Sequence, residues 1–169
     1  MTQPGSPGSA EAPTDGYEEW LDRLRSTYES ISFSCVHRLG DRALADRVAA
    51  QVVAGLLRKP SVFRFFGLPY SARIGHLAED HIAAAKAGDR NQTADWARIL
   101  RNLRALPQLT RTVFVLSCVH GLDAAQIATH LGLTDDAAHD AVADALAQMR
   151  AIGDQELHTP EAGPPSAIE

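Results

Sequence analysis

Two groups of residues in this 169-residue chain could do chemistry, and neither is a catalytic set. The first is the run LLRKPSVFRFFGLPYSARIGH, which interleaves Arg58, Lys59, Arg64 and Arg73 with Phe63, Phe65, Phe66 and Tyr70. Cations so placed can track a phosphate backbone while aromatic faces stack unpaired bases. The same residues can also form a small phenylalanine core under a loop, with Arg and Lys solvated around it. The second group is Asp135, Asp136, Asp140 and Asp144, which helical spacing gathers on one exposed face. A carboxylate-lined helical face suits a basic partner surface.

The remaining reactive residue types do not assemble. His76 and His81 are five apart, which puts them on different faces of a helix, and His120 and His130 fall in separate helices. Cys35 and Cys118 sit in apolar helical patterns far apart, as buried reduced thiols do. Asp135 and Asp136 suit the positive start of their own helix better than an acid/base pair. There is no phosphate-cradling glycine loop and no nucleophile elbow. The expectation is a protein that is not an enzyme, with no catalytic residue, no metal and no cofactor.

The elements that must position these groups are helical. Trp20, Leu24, Tyr28, Ile31, Cys35 and Leu39 recur at three- and four-residue spacing up to Gly40. Leu44, Val48, Val52 and Leu56 continue the pattern until Pro60 stops it. Further helices are expected at about 70–87, 93–105 and 110–120, then two short ones, and no alternating strand pattern is present. The fold class is therefore all-α, in two small modules at 17–87 and 93–152 joined by a linker at 88–92. Residues 1–16 and 153–169, rich in Pro, Gly, Ser, Ala and acids, read as disordered tails. The start of the chain, MTQPGSPGSAEAPTDG, has neither the basic nor the apolar part of a signal peptide. No run approaches the ~20 apolar residues of a membrane span, and a cytoplasmic protein is expected.

The net charge is −5, unevenly spread. Residues 17–104 carry +4, residues 105–150 carry −3 and the tails the rest. The acidic part contains the clearest supersecondary signal, GLDAAQIATHLGLTDDAAHDAVADALAQMR. Asp123 can cap one helix, Gly132 can make the turn and Thr134 can cap the next. Ile127 and Leu131 face the core, Ala128 permits close approach, and Leu133 plugs the joint. This is the grammar of a helix-turn-helix. A unit of that kind that reads DNA needs donors on its second helix. Here that helix offers His139 and Gln148 among its aspartates, and no Lys or Arg before Arg150.

Taken together, the two modules resemble the extracytoplasmic-function sigma factors of bacterial RNA polymerase. LRALPQLTRTVFVLSCVHGLDAAQIATHLGLTDDAAHDAVADALAQMR is similar to their promoter-reading fourth region, and HRLGDRALADRVAAQVVAGLLRKP to the second region that docks on the polymerase clamp. The resemblance covers about residues 20–150. It implies a transcription regulator acting in initiation, with core polymerase, an anti-sigma factor or another regulatory protein, and promoter DNA as partners, and no membrane. Implied DNA contacts are the basic-aromatic run together with Arg111, Thr134, His139 and Gln148. Implied polymerase contacts are Arg47 and Gln51, which stand where the family usually has acidic or glutamine residues. The alternative is a sigma-shaped protein-interaction module that binds through Asp135, Asp136, Asp140 and Asp144 without reading DNA sequence.

Overall fold

Gly40 adopts φ +68°, and Asp41 then accepts a hydrogen bond from the Leu44 N–H at 3.2 Å. Together they end helix α1 (Ala12–Leu39) and start α2 (Arg42–Leu57). The computed structural model describes residues 12–65, 72–88 and 93–157, and every regular element among them is helical. A 3-10 helix, Pro60–Phe65, follows α2. Then come α3 (Ala72–Lys86), α4 (Trp96–Arg104) and α5 (Gln108–Phe114). A π-helical turn over Val115–Val119 extends α5, closed by the His120 N–H on the Val115 carbonyl at 2.9 Å. The last described elements are α6 (Ala124–Leu131) and α7 (Asp135–Leu157).

Two boundaries differ from the sequence expectation. Helix α1 begins at Ala12 rather than Tyr17. Helix α7 runs to Leu157, past residue 152 where a disordered tail was expected. The cause lies in two residues that read as tail. Gly153 is buried against α2 so tightly that a Cβ there would lie 2.5 Å from the Ala54 carbonyl oxygen. Glu156 is also buried, and it receives Arg98 Nε at 2.6 Å, Arg98 Nη2 at 2.8 Å and the Asp95 N–H at 3.1 Å. Those contacts offset the entropy of ordering the last helical turn. The other expected tail residues, 1–11 and 158–169, and linker positions 89–92 lie outside the described residues.

The two expected modules share one core. Trp20 of α1 meets Phe63 and Phe114 edge-on, with centroids 5.1 and 4.6 Å away. Tyr17 packs beside them and donates its hydroxyl to the Leu103 carbonyl at 2.6 Å. Farther along α1, Tyr28 stacks on Trp96 at 4.7 Å. Aromatic pairs of this kind contribute about 0.5–1.5 kcal/mol each beyond area burial. Val48, Val52, Leu56 and Ile31 on one side and Ile99, Leu103, Ile127 and Met149 on the other belong to the same buried cluster.

Candidate nucleic-acid and partner interface

The helix-turn-helix is built by local hydrogen bonds that the residue types prescribe. Asp123 accepts from the Gln126 N–H at 2.8 Å, while the Gln126 side chain accepts from the Asp123 N–H at 2.9 Å. This reciprocal pair satisfies two free donors at the start of α6. Gly132 takes φ +68° at the end of α6, a left-handed conformation that a side chain would strain. The Leu133 N–H reaches back to the Ala128 carbonyl at 2.9 Å. Thr134 Oγ1 then accepts from the Ala137 N–H at 3.1 Å and opens α7. Ile127 and Ala128 of α6 and Ala138 and Ala145 of α7 are buried.

What this unit shows to solvent is acidic. Asp135, Asp136, His139, Asp140 and Asp144 are all exposed along α7. Gln148 is half-buried, and its amide donates to Asp144 at 2.6 Å. Thr134 is engaged as a cap. Of Thr134, His139 and Gln148, the DNA contacts singled out on this unit, His139 alone has an exposed side chain with no intramolecular role among the described residues. Nonspecific affinity for a polyanion comes from cations that displace counterions, and the outer face of α7 has none before Arg150. Arg111 does not supply one on this face. Its side chain is half-buried with the guanidinium carbon 5.7 Å from the Tyr17 ring centroid, and its Nε makes no hydrogen bond.

The basic-aromatic run divides. Phe63 is 2% exposed and packed against Trp20 and Phe114, so it is core, and stacking a base on it would require the core to open. Arg58 is paired with Asp154 at 2.7 Å. Lys59 and Arg64 are exposed, and Arg64 donates to the Gly121 carbonyl at 3.0 Å. Phe65 and Arg73 lie at the edges of helices whose side chains there are not described, and Phe66 and Tyr70 fall outside the described residues. Of the two polymerase-docking candidates, Arg47 is exposed, whereas Gln51 is 8% exposed with its Oε1 lacking a partner. Gln51 therefore faces the packed interior and is not offered to a partner.

Sequence reasoning missed a grouping at the seam between the two halves. Lys59 and Arg64 from the 3-10 segment and Arg150 from α7 line one cleft beside Cys118. Burial pushes the Cys118 thiol above its usual range, opposed by a hydrogen bond with Ser117 and by the charges of Arg64 and Arg150. No periodicity could have found this set, because Arg64 and Arg150 belong to separate helical patterns. Among the described residues no cluster of His, Cys, Asp and Glu could hold a metal, and no helix is long and apolar enough to cross a membrane.

Comparison with known proteins bears on the second half of the chain. Residues 96–149 match the family described as Sigma-70, region 4. No curated protein and no solved structure matches the chain.

Proposed function

We propose that this chain, whose residues 96–149 form a sigma-70 region 4-like module, is a sigma-factor-like transcription regulator of the extracytoplasmic-function type. It acts in transcription initiation with bacterial RNA polymerase, in the cytoplasm and without enzymatic activity. The observation that carries this reading is the helix-turn-helix itself. Its capping box at Asp123–Gln126, left-handed Gly132 and Thr134 cap all lie inside the matched segment. The first half, residues 17–87, fits a second-region-like module, with Arg47 exposed on α2 for polymerase contact.

A second reading is favoured by one specific observation, the exposed carboxylates Asp135, Asp136, Asp140 and Asp144 on α7. A phosphate backbone approaching that face meets like charge, while a basic protein surface meets its complement. On this reading the chain is a sigma-shaped module that binds an anti-sigma factor, another regulator or polymerase without reading DNA sequence.

Purified core RNA polymerase incubated with the full chain, followed by run-off transcription from candidate promoters, separates the two. Stable binding with promoter-dependent transcripts supports the sigma-factor reading. Binding without transcripts supports the protein-interaction module. Absence of polymerase binding sinks the first reading and leaves a regulatory protein as the partner.

A further inference from the structure

We infer that the cleft between the 3-10 segment and α7 is a binding site for a compact polyanion carrying two or more phosphate groups. The cleft has a volume of about 440 Å³, within the roughly 300–1,000 Å³ range of small-molecule sites. Lys59, Arg64 and Arg150 line it, and no carboxylate does. Arg58, next in sequence to Lys59, is neutralised by Asp154, as Arg23 is by Glu19, Arg38 by Glu79 and Arg98 by Glu156, whereas Arg47 and Arg101 stand unpaired among the described residues and apart from this cleft. Among the described residues Lys59, Arg64 and Arg150 form no ion pair. Three uncompensated cations around one concavity repel each other, in a chain whose net charge is −5. An anion seated between them relieves that repulsion.

The site has the features of a built one. Arg64 is held in place by its hydrogen bond to the Gly121 carbonyl. Gly121 has φ +73°, and a Cβ there would lie 2.7 Å from Arg64 Nε, so the guanidinium occupies space that only glycine leaves open. Ser61 and Ser117 add hydroxyls to the lining, which can donate to phosphate oxygens while the guanidinium groups form charge-assisted bonds. Val62, Leu146 and Cys118 supply the apolar remainder of the lining.

Two observations favour a small ligand over a nucleic-acid strand. None of the lining residues is aromatic, and Phe63 is sealed in the core, so bases have nothing to stack on. A strand that continued along α7 would meet Asp144 and then Asp140, about 15 Å from Arg150 at 1.5 Å per residue. What the cleft recognises is therefore the phosphates themselves, as in inorganic polyphosphate or the phosphate tail of a nucleotide. Because Lys59, Ser61 and Arg64 come from the first half and Ser117 and Arg150 from the second, the bound ligand clamps the two halves together.

The test is calorimetric titration of the full chain with tripolyphosphate and, separately, with ATP at fixed ionic strength, alongside thermal unfolding. Saturable binding is expected, with an unfolding midpoint raised by about 5–10 °C at one hundred times Kd. K59Q and R150Q, which remove exposed side chains with no ion pair, should each weaken binding at least tenfold, and R101Q on α4 should not. ATP binding more tightly than tripolyphosphate assigns the site to a nucleotide, and equal affinities assign it to bare polyphosphate. The inference is overturned by the absence of saturable binding, or by R101Q weakening it as much as R150Q. It is also overturned if a single-stranded 20-mer binds through Lys59 and Arg150 while both small ligands fail.

Discussion

Arg98 near the start of α4 holds Glu156 near the end of α7 through two hydrogen bonds, Nε to Oε1 at 2.6 Å and Nη2 to Oε2 at 2.8 Å. The carboxylate is wholly buried and also accepts the Asp95 N–H where α4 begins. The carboxylate in turn holds the Arg98 guanidinium more firmly charged than usual, raising its already high pKa. One side chain thereby closes the last turn of α7 onto the first turn of the region 4-like module.

Removing that carboxylate leaves a partly buried guanidinium with the Thr93 carbonyl, 2.7 Å from Nη2, as its remaining partner, and the Asp95 N–H with none. E156A is expected to lower stability by about 3 kcal/mol, which in a chain of this size lowers the unfolding midpoint by roughly 6–12 °C. E156Q, which keeps one acceptor, should cost less. A midpoint within about 1 °C of the parent protein would return Glu156 to the tail it resembles in sequence.

Gly153 gives a prediction in which two effects have opposite signs. Within a helix, Ala is more favourable than Gly by about 1 kcal/mol. A Cβ at this position, however, would lie 2.5 Å from the Ala54 carbonyl oxygen and 3.1 Å from the Arg58 nitrogen, both backbone atoms that cannot rotate away. G153A should therefore destabilise by about 1–3 kcal/mol, measured by urea unfolding. A stabilised variant would mean that α7 and α2 do not pack this closely.

The acidic face of α7 sets the expected response to charge removal. The triple variant D135N/D136N/D140N should bind nonspecific duplex DNA several-fold more tightly at low salt, with the gain fading as salt rises. Fluorescence anisotropy with a labelled duplex measures it. An unchanged affinity at low salt would show that DNA does not approach this surface.

Tyr28, half-buried on Trp96, has its ionisation pushed up to about 12, first by burial and then by the negative charges of Asp46 and Asp95. Tyr17 is shifted in the same direction, also by burial. A tyrosine that ionises later in the folded protein than in the unfolded chain contributes stability that is complete below pH 10. That contribution is lost as the pH rises from 10 towards 12. Tyrosinate absorbance should accordingly rise late, and unfolding midpoints should fall across that interval more steeply in the parent protein than in Y28F. Equal pH dependence in the two proteins would remove Tyr28 from the shared core.

Much of this molecule is written in short stretches of sequence. The all-helical class, the break at Gly40–Asp41 and the turn built by Asp123, Gly132 and Thr134 follow from the sequence alone. Each depends on hydrogen bonds and dihedral preferences within four residues, so the chain's order already contains both partners. The acidity of α7 is equally local, because helical periodicity alone puts Asp136, Asp140 and Asp144, four residues apart, on one side.

Tertiary structure decided everything that depends on distant partners. Phe63 and Arg64 are neighbours in a run that suits single-stranded nucleic acid, yet one is sealed beneath Trp20 and the other reaches Gly121. Gln51 occupies a position that family resemblance assigns to docking, and the packing of α2 buries it. Gly153 and Glu156 have the composition of a disordered tail, and Ala54 and Arg98 convert them into helix. Lys59, Arg64 and Arg150 become a single cationic cleft only because α7 crosses back over the first half. In each case the deciding contact joins residues tens of positions apart, whose pairing leaves no period, cap or spacing in the sequence.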